Sequence, residues 1–373
     1  MSATRSTVPT SPSAHPATTA PTAPRASLSH RLLANSELLL VVLILAILAA
    51  VVVKVPDFLN VETLFNILRA SMVNVVFALG VLLVLVAGGI DVSFLAIGIV
   101  AAYVACRVTP QTGSLGMAVV PFAVAIGIGV VLGLVNAAVV IGARVITLIA
   151  TLATSAIFTG ALFALGGGDI INTLPEPLQQ LATTNLITAK GAVRGTTRLN
   201  VLVLLVLLVA LLVWAFLRWT VAGRSVLALG GGEEAAARAA VPVRRIRVLV
   251  FCLAGALAGL AGIMHVTLAE RADPTTFIGQ ELNVIAAVVL GGAAITGGKG
   301  TVRGTVLGVV LISLIQTSLV PLGVPSIWQQ AVVGLLLLLG VTLQALSART
   351  RPARPILDHG PVATAEPTTE GAH

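Results

Sequence analysis

Between residues 37 and 347 the chain alternates long apolar runs with short polar or glycine-rich breaks. Ten runs stand out, at approximately 37–55, 66–88, 92–108, 116–142, 144–166, 199–217, 247–269, 281–297, 303–321 and 326–347. Allowing for tilt and ragged ends, each matches the roughly 17–25 residues that a helix needs to cross a bilayer. The pattern predicts an all-α polytopic membrane protein of about ten transmembrane helices. The second helix starts with an interfacial piece near Glu62 to Arg69, and the glycine-rich stretch 281–321 has room for a broken or re-entrant helix.

Composition agrees with this class. Of 373 residues, 57% are hydrophobic and 10% charged, where a soluble domain carries about 25% charged. The mean hydropathy is +1.06. A formal net charge of +8 would suggest nucleic acid in a soluble protein. Here most arginines flank apolar runs, so topology accounts for them and no nucleic-acid role is assigned. Cys106 and Cys252 both lie in apolar context, without metal spacing or a disulfide framework.

The charges also orient the runs. With the N-terminus inside, the inner segments hold fifteen Lys and Arg residues and the outer segments six, with Arg69 in or near a span. That bias predicts an N-in, C-in protein with an even number of spans. Residues 1–34, rich in Ala, Thr, Pro and Ser, read as a disordered cytoplasmic tail; 35–347 form the transmembrane domain; and 348–373 form a second polar tail. The longest outer connection, 167–198, is the natural surface for an external partner.

The most basic inner loop runs from Arg218 to Arg247 and holds six arginines. Within it Gly230, Gly231 and Gly232 precede an alanine-rich helix former, Glu233 to Ala240, which Pro242 closes. A short helix outside the membrane between two spans suits a contact with a cytoplasmic partner. Gly231, Gly232, Glu233, Glu234 and Arg238 are the candidates for coupling to that partner. Glu234 and Arg238 are four apart and able to pair on one face.

Other motifs divide between structure and chemistry. GGIDVS, Gly88 to Ser93, puts Asp91 between two apolar runs. A carboxylate there either caps the following helix or faces a cavity. GGAAITGGKGTVRG, Gly291 to Gly304, fails as a phosphate loop, because Lys299 is followed by Gly300 and not by Ser or Thr. Lys299 and Arg303 are expected to reach the inner lipid surface. His265, Asn74, Asn136, Asn283 and Gln316 lie inside apolar runs, where polar groups either bond helices together or line a route. Asp91, Asn136, Asn283 and Gln316 are the substrate-pathway candidates. The lack of buried charge ladders disfavours ion-coupled transport, the rival reading, and no catalytic constellation supports an intramembrane enzyme. The pairs Gly129/Gly133 and Gly304/Gly308 have the spacing that lets helix backbones approach in lipid. Their similar placement in the two halves hints at an internal duplication.

GGIDVS at 88–93, AGRSVLALGGGEEAAARAAVPVRRIR at 222–247, ELNVIAAVVLGGAAITGGKGTVRGTVLG at 281–308 and VPSIWQQAVVGLLLLL at 324–339 resemble the permease subunits of ribose-type sugar ABC importers. The resemblance covers roughly residues 35–347. It implies a non-enzymatic transport subunit without a cofactor. Its implied partners are membrane lipid, a cytoplasmic ATP-binding subunit that hydrolyses ATP, a second permease of the same or homologous sequence, and an extracytoplasmic solute-binding protein. It also implies a sugar or sugar-like substrate; autoinducer-2 permeases are close relatives of that family and branched-chain amino acid permeases more distant ones. Glu233 departs from the Gly-Gly-Asn often found before the coupling segment, and Val145-Ile146-Thr147 stands where many members have proline.

Overall fold

The computed structural model describes residues 36–143, 145–190 and 195–349. The tail assigned at 1–34, the part of the 348–373 tail from 350 onward, and Arg144 and Arg194 of the charge count lie outside the described residues. In chain order the elements are α1 (Ser36–Lys54), α2 (Val61–Val86), α3 (Phe94–Val108), α4 (Val119–Ala143), α5 (Thr147–Gly166) and α6 (Glu176–Thr183). There follow β1 (Asn185–Lys190), β2 (Thr196–Asn200), α7 (Leu202–Trp219), α8 (Val221–Gly231) and α9 (Glu233–Arg238). The last are α10 (Val243–Ala269), α11 (Glu281–Leu290), α12 (Val302–Leu319) and α13 (Gln329–Arg349).

Each of the ten apolar runs contains a helix. Among the described residues, seven helices are long and apolar enough to cross a membrane, and α3, α11 and the Gln329–Leu339 part of α13 are shorter apolar helices. Among the long helices, α2 buries 72% of its apolar window and α10 and α12 bury 61% each, against 11% for α1, and the shorter α3 joins them in the centre, most of its residues being buried. Helices α4, α5 and α7 keep most of their apolar surface outward.

Between lipid-facing helices there is little hydrophobic gain on contact, so close packing must supply the attraction. Glycine provides it at the α4–α10 crossing. A Cβ on Gly129 would sit 2.1 Å from the Gly255 carbonyl oxygen, and one on Gly133 would sit 2.2 Å from that of Phe251. The reverse holds for Gly255 and Gly259, which face the carbonyls of Gly129 and Ala125 at 2.1 and 2.2 Å. Gly304 and Gly308 of α12 meet the carbonyls of Gly291 and Ala287 in the same way, at 2.0 Å each. Both small-residue pairs read in the sequence are therefore helix crossings.

Two features depart from ten plain spans, and the first is the break for which the glycine-rich stretch 281–321 had room. The run 281–297 is helical only to Leu290. Ten residues rise about 15 Å, half a hydrocarbon core. Gly291 takes the helix C-cap and Gly292 turns left-handed at φ +90°. The amide of Gly292 then donates to Val289 O and that of Ala293 to Val288 O, both in the Schellman pattern. The end of α2 repeats this bond for bond: Gly88, at φ +86°, donates to Leu85 O and Gly89 to Val84 O. The second departure is a small antiparallel hairpin, β1–β2, inside the expected outer connection. Asn200 ties it down: its Nδ2 donates to the carbonyls of Leu181 and Ala182, and its Oδ1 accepts from Leu202 N–H at 2.9 Å.

The loops fall into two sets. The turn after α2, the end of α8 and the turn after α11 touch one another. At the other end Ile171 bridges to Ala272, the Glu176 amide donates to Gln111 O, and the Arg69 guanidinium donates to Arg198 O. At the first end, Thr301 Oγ1 accepts from Gly304 N–H and donates to Glu37, which docks α1 on the start of α12.

The α4–α10 crossing should fail when its backbone contact is filled. Gly133→Ala places a methyl group against Phe251 O, and overpacking costs about 1–3 kcal/mol. Gly127→Ala on the same helix meets nothing within 4 Å and should leave stability unchanged or raise it. Thermal unfolding of both variants in one detergent checks this; equal melting temperatures would contradict the crossing.

Candidate functional site

The basic loop is built as two short helices at a sharp corner. Thr220 caps α8 by accepting from Gly223 N–H at 2.9 Å. A Cβ on Gly223 would sit 2.1 Å from Phe216 O, so glycine lets α8 fold back against the end of α7. Gly232, at φ +154°, separates α8 from α9. Helix α9 ends at Ala239, and Ala240 adopts φ +59° so that its amide and that of Val241 close on Ala237 O and Ala236 O. A left-handed alanine costs about 1–2 kcal/mol. Holding it there keeps α9 six residues long and turns the chain into α10.

Of the α9 side chains only Ala236 is buried. Glu234 and Arg238 pair at 3.3 Å with both side chains more than 80% exposed. Such a pair is worth a few tenths of a kcal/mol, so it organises a surface and does little for stability. Glu233 reaches Arg247 on the first turns of α10 at 2.8 Å. That second pair, fourteen residues apart in sequence, anchors α9 to a central helix, and no helical spacing predicts it. Trp219 and Val221, 66% and 71% exposed, add an apolar surface beside the ion pairs. Gly231 is exposed, and a methyl group added there would meet nothing within 4 Å, so it faces outward with the α9 side chains.

The structure brings Asp91 and Asn136 together. Ser93 joins them: its N–H and Oγ both donate to Asp91 Oδ1, at 2.8 and 2.7 Å, and its Oγ accepts from Asn136 Nδ2 at 2.6 Å. All three residues are buried. Thr151 of α5 adds a fourth tie, accepting from Val92 N–H and donating to Ile90 O. The turn after α2 is thus fastened to α4 through the Asp91–Ser93–Asn136 chain and to α5 through its own backbone on Thr151. The Oδ1 atom of Asn136 is buried without a hydrogen-bond partner. Asp91 accepts the Ser93 amide just before α3 begins at Phe94, so it shapes the turn that leads into that helix.

Asn283 and Gln316 stand apart from that cluster. Asn283 is half-buried about two turns before the end of α11. Gln316 is half-buried near the far end of α12, where its carbonyl accepts from Gln329 Nε2. Asn74 is half-buried on α2 and donates to Ala70 O. His265 of α10 packs its ring on Phe277 at 4.6 Å, and Phe277 packs on Phe77 at 5.2 Å. At the opposite end of the molecule from α9, Glu62, Asn66, Arg69, Thr196, Thr197 and Arg198 line a polar cleft of about 410 Å³. Its hairpin wall left no sign in the apolar pattern. In the nearby loop the Asp273 carboxyl lies below its usual range, because the Thr275 hydroxyl and amide both donate to it. Among the described residues no cluster of His, Cys, Asp and Glu is arranged to hold a metal ion.

Comparison with known proteins places this architecture. Residues 63–341 match the family described as the permease component of branched-chain amino acid transport systems. The ribose import permease protein RbsC of Escherichia coli is 33% identical over 299 residues, covering 80% of this chain and 90% of that protein. The L-arabinose ABC transporter permease protein AraH of Azospirillum brasilense is 32% identical over 318 residues, covering 85% and 90%. The autoinducer 2 import system permease protein LsrC of an Enterobacter species is 34% identical over 322 residues, covering 86% and 89%. No solved structure matches the chain. With three quarters of its length inside one family and relatives matched almost end to end, the chain belongs to the multi-pass membrane permeases of ribose-type ABC importers.

Proposed function

We propose that this permease carries a sugar or sugar-like solute across the cytoplasmic membrane, driven by ATP hydrolysed on a separate chain that docks on α8 and α9. One observation carries the coupling half of this reading. The loop presents Glu234, Arg238, Trp219 and Val221 to solvent, while Glu233–Arg247 and buried Ala236 hold it to the membrane helices. A surface that is exposed yet rigidly mounted is suited to receiving a push. The fifteen-to-six bias of Lys and Arg puts this end of the molecule in the cytoplasm. The outer cleft and hairpin then face the side from which a solute-binding protein approaches, and the outward apolar faces of α4, α5 and α7 are open to lipid or to a second permease. Support for a sugar comes from the ribose, arabinose and galactose named for relatives.

The chain's own residues fit a neutral polyol. A sugar route needs amides and hydroxyls with few fixed charges. Half-buried Asn283 and Gln316 offer these, whereas Asn136 spends its amide nitrogen on Ser93. Asn283 is therefore the better pathway candidate and Asn136 the better tether.

Two outcomes test these assignments. Glu234→Ala with Arg238→Ala should keep the protein in the membrane and cut solute-stimulated ATP hydrolysis by about tenfold, a loss of ~1.4 kcal/mol. Normal stimulation would make the pair mere surface. Asn283→Leu should lower vesicle uptake with an unchanged melting temperature. Asn136→Leu should lower the melting temperature first, because it unpairs a buried group at a cost of about 1–3 kcal/mol. If uptake falls only in step with stability in both variants, Asn283 is structural too.

A further inference from the structure

Three segments far apart in sequence meet at the cytoplasmic end without a side chain between them. A Cβ on Gly230, in the last turn of α8, would sit 1.8 Å from the Val86 carbonyl oxygen and 2.5 Å from the Gly298 nitrogen. One on Gly297 would sit 2.6 Å from Gly88 Cα and 2.8 Å from Gly230 O. Gly298 closes the contact by donating its N–H to Val86 O at 2.9 Å. Val86 is the last residue of α2, so its carbonyl is one that the helix itself leaves free. The turn that follows contains Asp91 and Ser93, fastened to α4 by Asn136.

Mechanically this contact differs from ordinary helix packing. A displacement at a Leu–Leu contact is absorbed by rotamer changes, whereas backbone pressed on backbone has no such slack. A cavity of only about 30 Å³ lies beside the contact, lined by Gly88, Gly89, Thr147, Leu229, Arg247 and others. That is room for little more than one water. Arg247 at its edge is the residue that anchors Glu233 of α9. The loop is thus braced on α10 by an ion pair and on α2 and the α11–α12 turn by glycine.

We propose that Gly230 is the positioning residue of energy coupling: it clamps α8 to the ends of α2 and α11, so that all three move as one body and carry the loop's displacement to the Asp91 turn. This rests on the reading of α8–α9 as the docking surface for an ATPase. It adds the route by which a push there reaches the transport path.

The test uses the full permease reconstituted with its ATPase and binding protein. Gly230→Ala should still bind the ATPase and hydrolyse ATP, but solute moved per ATP should fall at least tenfold. Gly142→Ala, where a methyl meets nothing within 4 Å, serves as the control and should keep the wild-type ratio. A wild-type ratio in Gly230→Ala overturns the proposal. Should that variant fail to assemble, distances in the intact joint decide. Spin labels at Arg224 and Ile295, in a Cys252→Ala background, should keep their separation between the ADP-bound and AMP-PNP-bound complexes. Labels at Arg224 and Ile157 of α5 should change theirs. A changing Arg224–Ile295 distance overturns the clamp. If the Glu234/Arg238 double variant is uncoupled while Gly230→Ala couples normally, the docking surface stands and only the clamp fails; a normal double variant removes the docking surface itself.

Discussion

Helices of this protein cross backbone against backbone, and most of the architecture follows from that. In lipid, apolar side chains gain little by leaving one apolar neighbour for another, so attraction between helices depends on close approach. Gly129, Gly133, Gly255 and Gly259 give it to α4 and α10; Gly291, Gly304 and Gly308 give it to α11 and α12. Once those pairs are fixed, α2, α3, α10 and α12 become a buried centre, and α1, α4, α5 and α7 are left at the periphery. The same constraint acts at Gly230, Gly88, Gly297 and Gly298, where it joins a surface loop to the helix ends.

The ends of α2 and α11 show how the polar groups are handled. Each helix stops inside the protein, where a free carbonyl is expensive. Each closes with the same left-handed glycine and the same two returning bonds. What remains, the Val86 carbonyl, is taken by Gly298. The Asp91 carboxylate is treated similarly: two donors from Ser93 replace water, and Asn136 extends the chain of bonds to α4. The bonds that close these helix ends are thus the ones through which the proposed coupling route runs.

Much of this was legible because hydropathy is a local property. Ten apolar runs gave ten helices, and Gly230–Gly232, five alanines and Pro242 marked α9 to within two residues. The Glu234–Arg238 pair follows from helical spacing alone. What escaped depends on distant partners. The β1–β2 hairpin has short, mostly polar strands whose pairing is made by the backbone. A break within 281–321 was legible in its glycines, but its place at Leu290 was not, because it is set where Gly292 turns left-handed and Gly304 presses on Gly291. The Glu233–Arg247 pair and the joint at Gly230 bring together residues that no periodicity connects. Asn136 and Asn283 looked alike in the sequence, and only their burial and the Ser93 bond separate them.

The central claim is that transport is powered by ATP on a partner chain acting through this permease. Uptake of labelled ribose, arabinose and galactose into vesicles bearing the complete complex tests it most directly, with ATP supplied on the α8–α9 side and ionophores added to collapse ion gradients. The account predicts uptake of at least one sugar that requires ATP and survives the ionophores. Uptake that persists without ATP and collapses with the ion gradient would contradict it.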